Sequence, residues 1–392
     1  MVISGILLKR WKGDAGMKWI VAVMVLTVLF FMALSYMQKP TAIEAAGKIK
    51  AASMNDGGAD SMGTAIKDET YRKEEGTGVI YLAGGCFWGL EKLMQSMPGV
   101  IRATSGYANG DPSVKPTYSE VCKGRTGYRE TVRVEYKENK ISLDAILFTF
   151  FAAIDPTVRN RQGNDIGSQY QTGIYYIDEV SGKTAAHVAD VVRSRHNEFA
   201  VEIEPLDQFY DAEEYHQDYL DKNPGGYCHI TPAEIKMTEK IIVDPAKYRR
   251  PSSDEVKKRL TKEQYHVAVD SGTEPPFRND FWDHKEKGIY VDVITGEPLF
   301  SSKDKFKSTC GWPAFSKAID PNTVVYLKDY SLGMRRTEVR SRSGNTHLGH
   351  VFYGDPDSPN GVRFCINSLS LRFVPFADMD GEGYGYLRKY AE

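Results

Sequence analysis

The chain has 392 residues, with 50 Lys plus Arg against 52 Asp plus Glu, and a formal charge of -2 leaves no basic excess for a polyanion. Its 41% apolar content is ample to bury two cores, which excludes collagenous, disordered and multi-spanning membrane classes. Five cysteines are too few for a disulfide scaffold, and their odd number leaves at least one thiol unpaired.

Residues 19–37 (WIVAVMVLTVLFFMALSYM) are nineteen uncharged, mostly apolar residues, about 28 Å of helix at ~1.5 Å per residue, close to a bilayer core of ~30 Å. Lys9, Arg10, Lys12 and Lys18 precede the stretch, so residues 1–38 are expected to form a signal or transmembrane anchor with the rest of the chain outside the cytoplasm. The expected location is extracytoplasmic, either membrane-anchored or exported, at a bacterial periplasm or cell surface. Residues 39–77, rich in Ala, Gly, Lys, Asp and Ser, are expected to be a flexible tether.

Order is expected from residue 78. GVIYLAGG reads as a strand ending in a glycine pair, and Phe87, Leu90 and Met94 recur at helical spacing behind it. TVRVEYKE alternates as a strand, Ser142 can cap a helix in LDAILFTFFAAI, TGIYYI is a strand, and VSGKTAAHVADVVRSRHNEF is an amphipathic helix. This gives an α+β unit over 78–232 and a linker over 233–253. The second unit, 254–392, starts with one helix around EVKKRLTKEQYHVAV and continues as short β-type runs broken by Gly, Pro and Asp. No internal repeat relates the two units.

The first candidate for chemistry is Cys86, which follows a strand and two glycines and opens a helix. Unsatisfied amides and the helix dipole at that position are expected to favour a thiolate with a lowered pKa; a buried, inert cysteine is the alternative. Phe87 and Trp88 are either core residues or an apolar wall for a substrate methyl group. In the second unit, Val362, Phe364 and Ile366 alternate with Arg363, Cys365 and Asn367. Cys365 then shares a strand face with a cation and an amide, surroundings that favour a thiolate. His347 and His350 are candidate proton donors, against a structural pair or a metal site.

GGCFWG at 84–89, TYSEVCKGRTGYRE at 117–130, QGNDIGSQY at 162–170 and FYDAEEYHQDYL at 209–220 resemble the peptide methionine sulfoxide reductase A family in order and spacing. The resemblance implies a ferredoxin-like α/β sandwich that reduces the S epimer of methionine sulfoxide, with Cys86 attacking sulfur and Glu130 protonating the oxygen. It also implies that Tyr118, Asp165 and Tyr170 hold that oxygen. The chemistry is coherent, because a sulfoxide oxygen leaves only when protonated. Read without the family, Glu130 at the head of a strand is a solvated acid. Tyr128 stands where the family usually has His, with a change in hydrogen bonding near Glu130 as the expected consequence.

GTEPPF at 272–277, STCGWPAF at 308–315, EVRSRSGNTHLGHVF at 338–352 and RFCINSLSLRF at 363–373 resemble the methionine sulfoxide reductase B family, specific for the R epimer and mainly antiparallel β. The resemblance implies Cys365 as nucleophile, His347 and His350 as proton donors, Asn367 as an orienting group, Trp312 packed on the substrate methyl and Cys310 as the resolving thiol. A branch of that family holds zinc with two C-x-x-C pairs. The matching positions here are Asp292 and Thr295, then Ser341 and Gly344, so no zinc is expected.

Attack leaves a cysteine sulfenic acid that condenses with a second thiol. Cys228, beside Gly225 and Gly226, is the candidate resolving thiol for Cys86, and Cys122 is the odd one, expected to be buried and inert. With no C-x-x-C in the chain, regeneration is expected to need an external thioredoxin-like dithiol and no bound cofactor. The expected function is repair of oxidised methionine of both handednesses in proteins. The rival readings are a thiol peroxidase or disulfide oxidoreductase, which gives no reason for Phe87, Trp88 and Trp312, and a non-catalytic surface module, which predicts loss of nucleophile or acid.

Overall fold

The structure is a computed structural model that describes residues 68–392. The apolar stretch 19–37, and with it the expected anchor or signal, lies outside the described residues; among those described, no helix is long and apolar enough to cross a membrane.

The first half is built on strands β1 (Thr77–Ala83), β2 (Val100–Ala108), β3 (Arg129–Lys137), β4 (Gly173–Tyr176), β5 (Glu202–Pro205) and β6 (Phe209–Asp211). They pair in the order β5-β4-β1-β3-β2-β6, antiparallel except for the β4–β5 pair. Helices α1 (Phe87–Gln95), α2 (Leu143–Ala153) and α3 (Glu179–Arg193) share a core with the sheet. The sequence accounts for these boundaries: the Ser142 hydroxyl accepts the Ala145 N–H at 3.1 Å to start α2, and Asp178 caps α3 in the same way. Strand β1 is apolar throughout because both of its faces are covered. Ile80 and Leu82 enter the helical core, while Val79, Tyr81 and Ala83 join a second cluster with Tyr71 and Phe209.

Two expectations about the ends of this half are corrected. The tether expected to run to residue 77 is already docked at Asp68, whose buried carboxylate meets the buried Arg133 guanidinium at 2.9 Å and the Tyr81 hydroxyl at 2.9 Å. The linker expected over 233–253 is folded: it contributes helix α4 (Pro232–Thr238), started by a capping box between Thr231 and Glu234, and Val243 and Tyr248 enter a core of the second half. The single helix expected around 255–269 is two, α5 (Ser253–Arg259) and α6 (Lys262–Ala268). Leu260 turns extended, and Thr261 with Gln264 forms a second capping box, which restarts the helix.

The second half carries β7 (Gly288–Asp292), β8 (Pro298–Ser301), β9 (Lys305–Phe306), β10 (Ala314–Phe315), β11 (Val324–Asp329), β12 (Arg336–Ser341), β13 (His347–Tyr353), β14 (Val362–Ile366) and β15 (Leu371–Pro375). They form an antiparallel three-stranded sheet, β8-β7-β15, and a six-stranded sheet, β9-β10-β14-β13-β12-β11. Phe364 and Ile366 of β14 point into the core with Tyr290, Phe300 and Phe315, leaving Cys365 on the opposite face as the alternation requires.

Candidate active sites

Cys86 is the N-cap residue of α1, delivered there by the turn at Gly84 and Gly85. Gly85 has φ +87°, and a Cβ on it would meet Gln162 at 2.6 Å, so the turn needs glycine twice over. On β3, Glu130, Val132 and Val134 share one face. The valines fill the core beneath the helices, and the same periodicity puts Glu130 under the start of α1, 2% exposed. Its carboxyl accepts the Phe87 N–H at 3.2 Å, one residue from Cys86. Burial raises this carboxyl to about 8, with the Asp165 charge adding to the effect and the Phe87 N–H opposing it.

The expected lowering of the Cys86 pKa is not found. Cys86 is 6% exposed, and burial together with the Glu130 charge pushes its thiol well up, opposed by the Trp88 N–H. Desolvation outweighs the helix terminus because α1 offers one turn of amides to a sulfur already sealed from water. Glu130 is buried rather than solvated, contrary to the reading of an isolated acid at a strand head. Tyr118 and Tyr170 are half-buried, their hydroxyl pKa values raised by burial and by the Glu130 charge. Asp165 accepts the Tyr227 hydroxyl at 3.1 Å. The Tyr128 hydroxyl is committed to the Asp111 and Val114 carbonyls and to Gln208, away from Glu130.

Phe87 is buried, and Trp88, half-buried, stacks on Tyr219 with ring centroids 3.7 Å apart and donates its Nε1–H to His216 Nδ1 at 3.0 Å. The His216 ring also lies 5.0 Å from Phe87 and 4.5 Å from Tyr118. Glu213 accepts the Tyr118 N–H and the Tyr107 hydroxyl, each at 2.8 Å. Sequence reasoning assigned no role within 209–220, although that block carried the residues that wall this site. Cys228 is partly exposed, and its Sγ donates to the Ile230 carbonyl at 2.9 Å. A Cβ on Gly89 would meet that sulfur at 2.8 Å, so the thiol rests on the first turn of the helix that Cys86 opens. Cys122, expected to be buried, is exposed: it follows the short helix Tyr118–Val121, whose Val121 alone turns inward.

In the second half His350 of β13 pairs across the sheet with Cys365 of β14. The register with β12 steps from Gly349 to His347, passing over Leu348, and this brings the His347 and His350 rings to 5.8 Å despite their odd spacing. Each ring is anchored by a carboxylate that sequence reasoning missed. His347 Nδ1 meets Glu338 at 2.5 Å and His350 Nε2 meets Asp329 at 2.7 Å. The signal for these partners was weak, because Glu338 comes from the adjacent strand β12 and Asp329 from β11, one strand further out. Burial holds the His350 imidazole below its ordinary pKa, with Asp329 opposing.

The Cys365 and Cys310 sulfurs stand 3.5 Å apart. The hydrogen bond donated by Cys365 brings Cys310 down to about 5, while Cys365 itself is pushed up by keeping the proton and by burial, contrary to the expectation that its surroundings favour a thiolate. Two thiols this close share one proton, and Arg363 favours the single negative charge on the pair. Asn367 accepts the Glu274 N–H at 3.3 Å and donates to the Leu348 carbonyl at 3.2 Å, and the Glu274 carbonyl accepts Trp312 Nε1–H at 3.0 Å.

The cysteines with which a branch of the B family holds zinc are replaced here by Asp292, Thr295, Ser341 and Gly344: Asp292 Oδ1 accepts the Ile294 and Thr295 amides, the Ser341 hydroxyl accepts the Thr346 N–H, and Asp292 Oδ2 and the Thr346 hydroxyl are buried with no hydrogen-bond partner. Among the described residues, no group of three or more His, Cys, Asp or Glu side chains is arranged to hold a metal.

The family model described as "Peptide methionine sulfoxide reductase" matches residues 78–245, and the one described as "SelR domain" matches residues 260–375. Among solved structures the chain is similar to Mxr1 from Saccharomyces cerevisiae in reduced form, at 37% identity over 42% of this chain and 96% of that one, TM-score 0.40. It is also similar to methionine sulfoxide reductase A of Corynebacterium diphtheriae, at 38% identity over 41% of this chain and 81% of that one, TM-score 0.37. A third similar structure is Mxr1 from Saccharomyces cerevisiae in complex with Trx2, at 26% identity over 38% of this chain and 91% of that one, TM-score 0.29. The two matched spans take in most of the chain, which belongs to the peptide methionine sulfoxide reductases as a fusion of an S-specific domain with an R-specific SelR domain.

Proposed function

We propose a residue-level route by which this chain reduces methionine sulfoxide in proteins. In the first half, Glu130 gives its proton to the sulfoxide oxygen while Cys86 attacks sulfur. The Cys86 proton passes to the Glu130 carboxylate as a bond forms between the two sulfurs; the hydroxyl then moves to the Cys86 sulfur while the sulfur–sulfur and substrate S–O bonds break, leaving methionine and Cys86 sulfenic acid. Phe87 and Trp88 hold the methyl group, and Tyr118, Tyr170 and Asp165 hold the oxygen. The observation that carries this reading is Glu130, 2% exposed, protonated up to about pH 8, one residue's amide from a thiol that is also protonated. With both protons held in the site, the reaction needs only internal transfer.

Cys228 then displaces hydroxide from the Cys86 sulfenic acid, giving a disulfide and water. In the second half the Cys365 and Cys310 pair does the same for the R epimer, with His347 or His350 as proton donor, Asn367 orienting the site and Trp312 against the methyl group. The sulfurs close from 3.5 Å to a bond of about 2.05 Å. An external thioredoxin-like dithiol reduces both disulfides, and neither half uses a bound cofactor. The strand order β4-β1-β3-β2, with α1 crossing from β1 to β2 and α2 from β3 to β4 over the strand that lies between each pair, supports a ferredoxin-like first half. An extracytoplasmic location rests on residues 19–37 alone; mass spectrometry of the mature amino terminus tests it.

The deciding experiment assays each epimer separately with dithiothreitol. Cys86→Ser is expected to abolish S turnover alone and Cys365→Ser R turnover alone; loss of both activities from either change overturns the two-site reading. Peptide mapping after oxidation by substrate is expected to link Cys86 to Cys228 and Cys310 to Cys365, and a Cys86–Cys122 link would overturn the first pairing.

A further inference from the structure

Glu91 has no place in the route above, yet it is 1% exposed on α1, one turn beyond Trp88. A carboxylate is costly to bury unless its oxygens are satisfied. Both are. One accepts the Asp218 N–H at 2.9 Å and the other the Ser105 N–H at 3.3 Å on β2. Asp218 adopts φ +51°, a left-handed conformation that a non-glycine residue holds only where its surroundings impose it. Two flanking contacts tie the same segment to the same helix face: Gln95 donates to the Asp218 side chain at 2.7 Å, and Lys92 meets Asp221 at 2.5 Å.

The segment so anchored carries both partners of Trp88. His216 lies two residues before Asp218 and accepts the indole N–H, and Tyr219 follows directly and stacks on the indole face. His216 is itself 1% exposed, and its Nε2 has no hydrogen-bond partner, so the indole N–H on Nδ1 and the packing around it are what keep that ring in place. Gln95 and Lys92 are solvent-facing contacts of little weight. The Glu91 bond is buried and joins a carboxylate to a main-chain amide, the kind whose loss leaves a desolvated donor behind.

We propose that Glu91 is a positioning residue for the S-epimer pocket: by holding the Asp218 amide it fixes His216 and Tyr219 against Trp88 and so sets the wall that grips the substrate. The proposal rests on the S-specific reading of the first half and adds to it a residue that touches neither substrate nor sulfur.

The test uses the whole chain, whose R-epimer activity reports folding in the same tube. Glu91→Ala is expected to raise KM for a peptide S-sulfoxide about tenfold, the loss of one charge-assisted bond, with kcat near its original value and R turnover unchanged. Glu91→Gln keeps an acceptor for the Asp218 N–H and presents its amide to the unpartnered Ser105 hydroxyl, so it is expected to restore KM to within about twofold. An unchanged KM in Glu91→Ala overturns the proposal, as does a parallel fall in both epimers, or a Gln variant as impaired as the Ala variant. The S-specific reading fails on a different result, S turnover surviving in Cys86→Ser.

Discussion

Glu130 illustrates how one side chain is set by what surrounds it. Its carboxyl titrates near 8 in the folded protein against an ordinary 4.5, so S-epimer turnover is expected to fall on the alkaline side with an apparent pKa near 8, measured as kcat/KM against pH. Glu130→Gln is expected to cut that turnover by about 10²-fold or more and to remove the alkaline limb, leaving R turnover intact. The same shift has a sign for stability. Between 4.5 and about 8 the folded chain holds a proton that the unfolded chain has released, so stability falls as pH rises through that window. Urea unfolding at pH 5 and pH 8 is expected to show a smaller loss in Glu130→Gln than in the unaltered chain. In the second half, Glu338 and Asp329 fix which imidazole nitrogen faces the site. Glu338→Ala and Asp329→Ala are each expected to lower R turnover by about tenfold or more with S turnover unchanged, and equal loss of both epimers would contradict this orienting role.

At the level of the element, α1 does three jobs on three faces. Its first residue continues from the nucleophile, its buried stripe of Phe87, Leu90, Leu93 and Met94 packs into the core, and Gly89 leaves room for the Cys228 sulfur. Gly89→Ala puts a methyl group 2.8 Å from that sulfur and is expected to displace the resolving segment. Single-turnover measurement should then show the first methionine released at its usual rate while disulfide formation slows, with Cys86 sulfenic acid trapped by dimedone. Helical periodicity made the apolar stripe legible. The fit of a cysteine from about 140 residues away against the small face was not.

For the whole molecule, the described residues 68–392 fall in one compact unit. Arg249 bridges to Asp144 at 2.7 Å, and the buried Arg342 guanidinium, bonded to Glu297, lies over Phe148 of the first half at 5.8 Å. The first described residues matter in the same way. A fragment beginning at residue 78 lacks Asp68 and leaves Arg133, 2% exposed, with only Asp211 and Glu135. Removing a buried partner costs ~3–5 kcal/mol, and the two remaining carboxylates place this case at or below the lower end of that range. A fragment starting at 68 should therefore melt at a higher temperature than one starting at 78 when compared by calorimetry.

The sequence by itself determined strands β1, β3 and β4, helices α1, α2 and α3, the cap at Ser142, the alternation that sends Phe364 and Ile366 inward, and the cysteines of each site. These follow from local rules of period, turn and cap, and from motif blocks each contained in a few consecutive residues. Only the tertiary structure decided the ionisation of those cysteines, because desolvation depends on everything packed around a sulfur rather than on its neighbours in the chain. The same holds for Glu338 and Asp329, brought to the histidines by strand pairing, for Glu213, His216 and Tyr219 around Trp88, and for the docking of residues 68–77 and 233–253. Each of these depends on groups that meet only when distant segments fold together.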